Sequence, residues 1–183
     1  MNIQKVKIEG LLIIEPQVFE DERGFFVETY NSKRYKESGI DLNFVQDNLS
    51  KSSKGVLRGL HFQEGEFAQG KLVQIISGAV LDVAVDIRPD SKTFGEYFAI
   101  ELSEENKKQF WIPPGFAHGF LTLQENTIFS YKCTNLYNKD YERAIMWNDP
   151  DIAIDWQLEK YQIKKPIISQ KDLNNKFLKD IKK

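Results

Sequence analysis

The stretch Lys71–Ile87, KLVQIISGAVLDVAVDI, decides the fold. It holds two apolar runs of strand length, 71–76 and 79–87, divided by the glycine at 78. In the second run Leu81, Val83, Val85 and Ile87 share one face while Asp82 and Asp86 share the other. That is the period of two that a strand imposes and a helix does not. The apolar face is expected in the core. Runs of similar length lie at 56–62, 94–102, 108–112, 117–123 and 127–134, separated by Gly, Pro, Asn or short charged turns. Seven short strands with no helical-period segment between them specify an antiparallel sandwich or barrel, hence an all-β fold class.

Further out the signal thins. A strand is expected at 11–14, before Pro16, and a weaker one at 3–8. Asp21–Gly24 reads as a turn leading into a strand at 25–30, and Ser32–Ser38 as a short helix stopped by Gly39. A strand is expected at 44–50 and a loop at 52–55. From 141 to 183 the chain is turn-rich with aromatic anchors such as Trp147 and Trp156, a pattern that suits a tail wrapped over the sandwich. Ser169 and Asp172 have capping-box spacing, which predicts a terminal helix over 169–178. No linker or repeat divides residues 1–183, so one domain is expected.

Composition narrows the function classes. With 41% hydrophobic residues and thirteen Phe needing buried positions, the chain is not disordered. The net charge of −2, with both signs interspersed, gives no nucleic-acid or membrane surface. One cysteine, Cys133, excludes an intrachain disulfide and suits a reducing compartment. No signal peptide opens the sequence and no run approaches membrane-spanning length, so a cytoplasmic protein is expected. Two histidines lie 57 residues apart with a single cysteine, so neither HxH nor CxxC can form and no metal is expected. Neither GxGxxG nor GxxxxGK[ST] occurs, so no bound nicotinamide, flavin or ATP is indicated and no cofactor is expected.

The chemistry concentrates in Gly55–Val73, GVLRGLHFQEGEFAQGKLV. Strict alternation would place Arg58 with Leu60, and His61 with Gly59 and Gln63. His61 reads either as a half-buried histidine satisfied by one hydrogen bond or as a general base needing an acidic partner. His118, between Ala117 and Gly119, divides the same way. Lys71 is either a solvated strand edge or a cation for a developing enolate. Tyr131 is either core or proton donor; Asp172 is most simply a helix cap, and Arg23 most simply a surface charge.

Eight ordered blocks across essentially the full length add a resemblance. Among them are Phe19-x-Asp21-x-Arg23-Gly24-x-Phe26, Phe44-Val45-Gln46-Asp47-Asn48, Val56-Leu57-Arg58-Gly59-Leu60-His61-Phe62-Gln63 and Gln69-Gly70-Lys71-Leu72-Val73. The rest include Pro113-x-Gly115-Phe116-Ala117-His118-Gly119-Phe120, Tyr131-Lys132-Cys133-Thr134, Trp147-Asn148-Asp149-Pro150 and Ser169-x-Lys171-Asp172. The chain resembles the dTDP-4-dehydrorhamnose 3,5-epimerase family. That resemblance implies a cupin-like antiparallel jelly roll with a few short peripheral helices. It also implies a homodimer that exchanges N-terminal strands, with residues 1–50 at the interface. The implied activity is cofactor-independent inversion of C3 and C5 in dTDP-4-dehydro-6-deoxy-D-glucose.

The implied catalytic set is His61 as base, Asp172 orienting it, Tyr131 as proton donor, and Lys71 with His118 near the ketone oxygen. Arg23 and Arg58 would meet the pyrophosphate, while Phe19, Glu28, Gln46, Asn48, Tyr137 and Glu142 match other positions contacting nucleotide or sugar. Phe19, Arg23 and Glu28 would come from the partner subunit. Related family members epimerise only C3 or act on other nucleotide-linked 4-keto sugars, and the base–acid pair does not separate these outcomes. A non-catalytic sugar-binding module is disfavoured because it has no use for such a pair.

Overall fold

The structure, a computed structural model, describes residues Met1–Ile181. In chain order the strands are β1 (Asn2–Lys5), β2 (Leu12–Glu15), β3 (Val18–Asp21) and β4 (Gly24–Val27), followed by the helix α1 (Ser32–Glu37). Next come β5 (Gln46–Ser52), β6 (Val56–Gln63), β7 (Lys71–Ser77), β8 (Ala79–Asp86), β9 (Tyr97–Ser103), β10 (Gln109–Ile112), β11 (Phe116–Thr122) and β12 (Thr127–Cys133). Two short strands, β13 (Glu142–Ala144) and β14 (Ile167–Ile168), complete the set. One sheet runs β1-β2-β10-β7-β12-β5 and the second β13-β6-β11-β8-β9, with β14 parallel to β6. β3 and β4 form a separate hairpin. Two facing, almost wholly antiparallel sheets make the expected cupin-like jelly roll.

Three apolar layers hold it together. Between the sheets lie Val73, Ile75, Val80, Ala84, Phe110, Phe116, Phe120 and Phe129. The outer face of the first sheet carries Ile14, Leu72 and Trp111, covered by Tyr35 and Ile40. The outer face of the second carries Leu57, Leu60, Leu81, Val83, Val85 and Leu121, covered by Ile145, Ile152, Trp156 and Ile163 from the C-terminal segment. The apolar face of β8 is buried, as expected. Its wholly apolar face meets the C-terminal cover, and the face bearing Asp82 points between the sheets, so every residue of β8 is buried.

Strand positions from 56 to 134 agree with the sequence reading to within about three residues, which is ordinary for strand ends. Three local expectations are corrected. The strand expected at 25–30 is the shorter β4, paired with β3, where the sequence analysis placed no strand. The terminal helix over 169–178 is replaced by one-turn 3₁₀ segments, Asp172–Asn174 and Leu178–Asp180. The cap itself forms, since the Asp172 N–H donates to Ser169 Oγ at 3.1 Å. After one turn Asn175 turns extended (ψ 158°), and Lys176 O accepts from Met146 N–H. Pairing with the body of the protein thus wins over local helix. Lys182 and Lys183, the end of the expected C-terminal wrap, lie outside the described residues.

The third correction bears on the site. Arg58 does not share a face with Leu60. On β11, His118 pairs with His61 and Phe120 with Arg58, so two residue steps on β11 span three on β6. The extra residue is a bulge at Gly59, with φ +129°, which sends Leu60 to the outer layer and returns Arg58 and His61 to the same inner face. The bulge also demands two glycines facing each other. A Cβ on Gly59 would lie 2.5 Å from Gly119 Cα, and one on Gly119 would lie 2.7 Å from Arg58 O. Gly119→Ala is accordingly expected to lose about 1–3 kcal/mol by forcing the strands apart. A urea-unfolding midpoint equal to wild type would show that the approach is not obligatory.

Candidate active site

The inner faces of both sheets converge on one polar cluster. On the second sheet β6 presents Arg58 and His61, β11 presents His118, and β8 presents Asp82. On the first, Tyr131 packs with the inter-sheet layer. Tyr131 pairs with Val73 and Asn48, and Cys133 with Lys71 and Gln46. Period-two geometry therefore points Lys71, Cys133, Asn48 and Gln46 the same way as Tyr131.

Each histidine has a carboxylate. His61 Nε2 lies 2.7 Å from Asp172 Oδ1, and the Asp172 side chain is 5% exposed against 32% for His61. Burial acts to raise the Asp172 pKa, but bonds from His61, Ser169 and the Gly59 backbone outweigh it and hold the carboxyl below its ordinary value. His118 Nε2 lies 3.0 Å from both oxygens of Asp82. Burial, with Lys71 and His61 nearby, pushes the His118 pKa down despite Asp82. Burial likewise lowers Lys71, opposed by Cys133, Asp82 and Glu142, and raises Tyr131 and Cys133. At neutral pH the phenol of Tyr131 therefore holds its proton.

A second group lies along β5 and the loop after β12. Gln46 donates to Asn48 Oδ1 (3.0 Å) and accepts from the Tyr137 N–H (2.8 Å). The Tyr137 hydroxyl donates to Glu142 at 3.0 Å, and Lys171 reaches the same carboxylate at 2.6 Å. Arg58 is exposed and, among the described residues, anchored by Ser52 Oγ at 3.1 and 3.2 Å, leaving most of its guanidinium donors for an anion.

Ten of the candidate positions, His61, Asp172, Tyr131, Lys71, His118, Gln46, Asn48, Arg58, Tyr137 and Glu142, thus belong to this cluster and its rim. Phe19, Arg23 and Glu28 are engaged elsewhere. Arg23 pairs with Asp21 at 2.6 Å, Glu28 with Arg34 at 3.0 Å, and Phe19 is 60% exposed beside Phe26. Sequence reasoning assigned no role to Asp82, Ser52 or Lys171. Asp82 had a signal, an acid within a run too apolar to be half-solvated; Ser52 and Lys171 had none. Among the described residues no group of three His, Cys, Asp or Glu side chains is arranged to hold a metal. No helix among them is long and apolar enough to cross a membrane.

A family profile described as dTDP-4-dehydrorhamnose 3,5-epimerase matches residues 5–180. The chain belongs to that family. It is 53% identical over 176 residues to the dTDP-4-dehydrorhamnose 3,5-epimerase of Methanothermobacter thermautotrophicus, covering 96% of this chain and 94% of that one. It also superposes on a dTDP-6-deoxy-D-glucose-3,5-epimerase from Legionella pneumophila, crystallised with dTDP-4-keto-L-rhamnose. The TM-score is 0.94 at 51% identity, covering 99% and 94% of the two chains. A 3'-monoepimerase from Streptomyces bikiniensis, in complex with dTDP-quinovose, is more distant. Its TM-score is 0.88 at 31% identity, over 95% of this chain and 86% of that one.

The folded pKa of Asp172 lies below its unfolded value, so the stabilisation it brings is fully present above the ordinary carboxylate pKa of about 3.9. It disappears as pH falls through the lower, folded value. Asp172→Asn, which replaces a charge-assisted bond with a neutral one, is expected to cost about 1 kcal/mol at pH 7. That gap should close in strong acid. A gap independent of pH, measured by urea unfolding across the acid range, would contradict the assignment.

Proposed function

We infer that the chain epimerises C3 and C5 of dTDP-4-dehydro-6-deoxy-D-glucose to give dTDP-4-dehydro-L-rhamnose. The observation that carries this is His61, held by Asp172, on the inner face of one sheet with Tyr131 on the inner face of the other. The C4 ketone acidifies the protons on both neighbouring carbons, so inversion needs a base on one side of the sugar and an acid on the other. Asp172 accepts the Nε2–H of His61, which leaves the Nδ1 lone pair to remove the carbon-bound proton and stabilises the imidazolium that forms. The product is an enolate with charge on the ketone oxygen, met by Lys71 with His118 beside it. Tyr131, kept protonated by burial, returns a proton from the opposite face. Both steps move only protons, so the chemistry calls for no redox group.

Arg58 is assigned to the pyrophosphate, and Gln46, Asn48, Tyr137, Glu142 and Lys171 to nucleotide and sugar at the cavity rim. The β3–β4 hairpin is assigned to a second copy of the chain. It exposes Phe19, Phe25 and Phe26 at 60%, 59% and 67%, a concentration of apolar surface that a partner would cover. In a dimer with exchanged N-terminal strands, the partner copy brings Phe19, Arg23 and Glu28 to this cavity. Cys133, single and buried, suits a cytoplasmic enzyme.

Incubation with dTDP-4-dehydro-6-deoxy-D-glucose in deuterated water, with NMR of the product, tests the activity. Label at both C3 and C5 is expected; label at C3 alone would make the protein a monoepimerase, and no label would refute the reading. His61→Ala should lose about 10²–10⁴-fold in kcat. In a shared site Arg23→Ala should raise KM for the dTDP sugar about tenfold or more, the loss of one charge-assisted phosphate contact. Unchanged affinity would remove Arg23 from the site.

A further inference from the structure

Asp82 is buried, charged and unused by the proton transfers described above. It is 0% exposed and lies on the inner face of β8, opposite Phe120 on β11 and Ile100 on β9. A carboxylate in such a layer is costly unless its charge is needed, and apolar residues of similar volume usually serve stability as well or better. We propose that Asp82 is a positioning residue for the reaction, holding the His118 ring and supplying the buried negative charge beside which Lys71 meets the enolate oxygen as an ammonium.

The geometry assigns the two halves of that role. Both Asp82 oxygens lie 3.0 Å from His118 Nε2, so this nitrogen carries the hydrogen and the neutral ring has none on Nδ1. His118 is held neutral by burial, by Lys71 and by His61. Lys71 is then the resident cation at the ketone end, where burial works against its charge.

Cys133, Asp82 and Glu142 act on Lys71, and Asp172 lies beyond them on His61. Asp172 is engaged by His61, and Glu142 is matched by Lys171 at 2.6 Å. Cys133 is kept protonated by burial. Of the two carboxylates that act on Lys71, Glu142 is matched by a cation and Asp82 faces the neutral His118, so the Asp82 charge is available to Lys71. Of the other groups on the inner faces, Arg58 is bonded to Ser52 and Tyr131 stays protonated. On β9 the neighbours are Phe98 and Ile100, which carry no charge.

This role rests on the epimerase reading and is tested with the same enzyme and substrate. Asp82→Asn keeps an acceptor for the His118 Nε2–H and removes only the charge. Without that charge Lys71 loses its proton at lower pH, so the alkaline limb of the kcat profile should move toward neutrality. At pH 8 kcat should fall about tenfold or more, with dTDP affinity unchanged. Asp82→Glu should keep the limb at its wild-type position even if its kcat is lower, and Lys71→Arg, whose cation does not titrate, should remove that limb and leave only the higher one of the Tyr131 phenol. A uniform loss at every pH in Asp82→Asn would mean a structural role and overturn the proposal. So would a limb that persists at the same pH in Lys71→Arg, which remains decisive if Asp82→Asn does not fold. Wild-type enzyme without turnover would instead overturn the epimerase reading itself.

Discussion

The close approach of β6 to β11 at Gly59 and Gly119 governs the arrangement of the site. Strict pleating would have turned Arg58 and His61 to opposite faces, one toward the interior and the other under the C-terminal cover. The bulge places three residues of β6 against two steps of β11, so an anion-binding guanidinium and an imidazole emerge on the same wall. The Gly59 N–H also reaches Asp172, tying the bulge to the orientation of the base. In the proposed mechanism, backbone geometry, phosphate binding and proton abstraction therefore share one structural feature. A β-carbon on either glycine would disturb all three.

Burial then sets the chemical character of the two ends of the interior. On one side Phe120 and Phe129 stack at 4.2 Å and 6°, and Phe98 and Phe110 lie against each other, making a dry apolar floor. His118 sits at its boundary, 6.4 Å from the Phe120 ring and 6.0 Å from that of Phe129. Charge placed there is weakly screened, so a single carboxylate has more influence than it would at the rim. Toward the rim, Glu142, Lys171 and Tyr137 form an exposed mixed-charge network suited to recognising a polar nucleotide. In the proposed site the same side-chain types thus serve proton chemistry at one depth and recognition at another.

The fold was legible because its central strands carry strong period-two signals and glycine breaks, and strand ends shifted by only a few residues. What failed was local. The terminal helix had a true cap at Ser169, but Asp172 is committed to His61, and the pairing of Lys176 with the body of the protein draws the next residues out of helix. The hairpin strand at Val18–Asp21 carries little apolar alternation to find. In the site, His61 and Tyr131 could be named as candidates from the residues, yet strict alternation turned Arg58 to the wrong face, since one inserted residue inverts every side chain beyond it. Asp82 was visible as an acid in an apolar run, and its partner was not, because the pairing of β8 with β11 is a long-range fact.

The β3–β4 hairpin is the physical ground of the dimer proposal. Two four-residue strands do not form a stable unit alone, and this pair does not extend either large sheet. It nevertheless holds three exposed phenylalanines around Arg23, whose side chain is 85% exposed. An arginine kept on Asp21 at an exposed tip would bind phosphate poorly, since its charge must be recovered from a competing partner. In the proposed dimer the aromatic surface would fix the tip on a second copy and bring its guanidinium toward Arg58, giving the two negative phosphates two cations from different chains. Substrate binding would then depend on protein concentration wherever the dimer dissociates, while the proton-transfer groups, all from one chain, stay assembled.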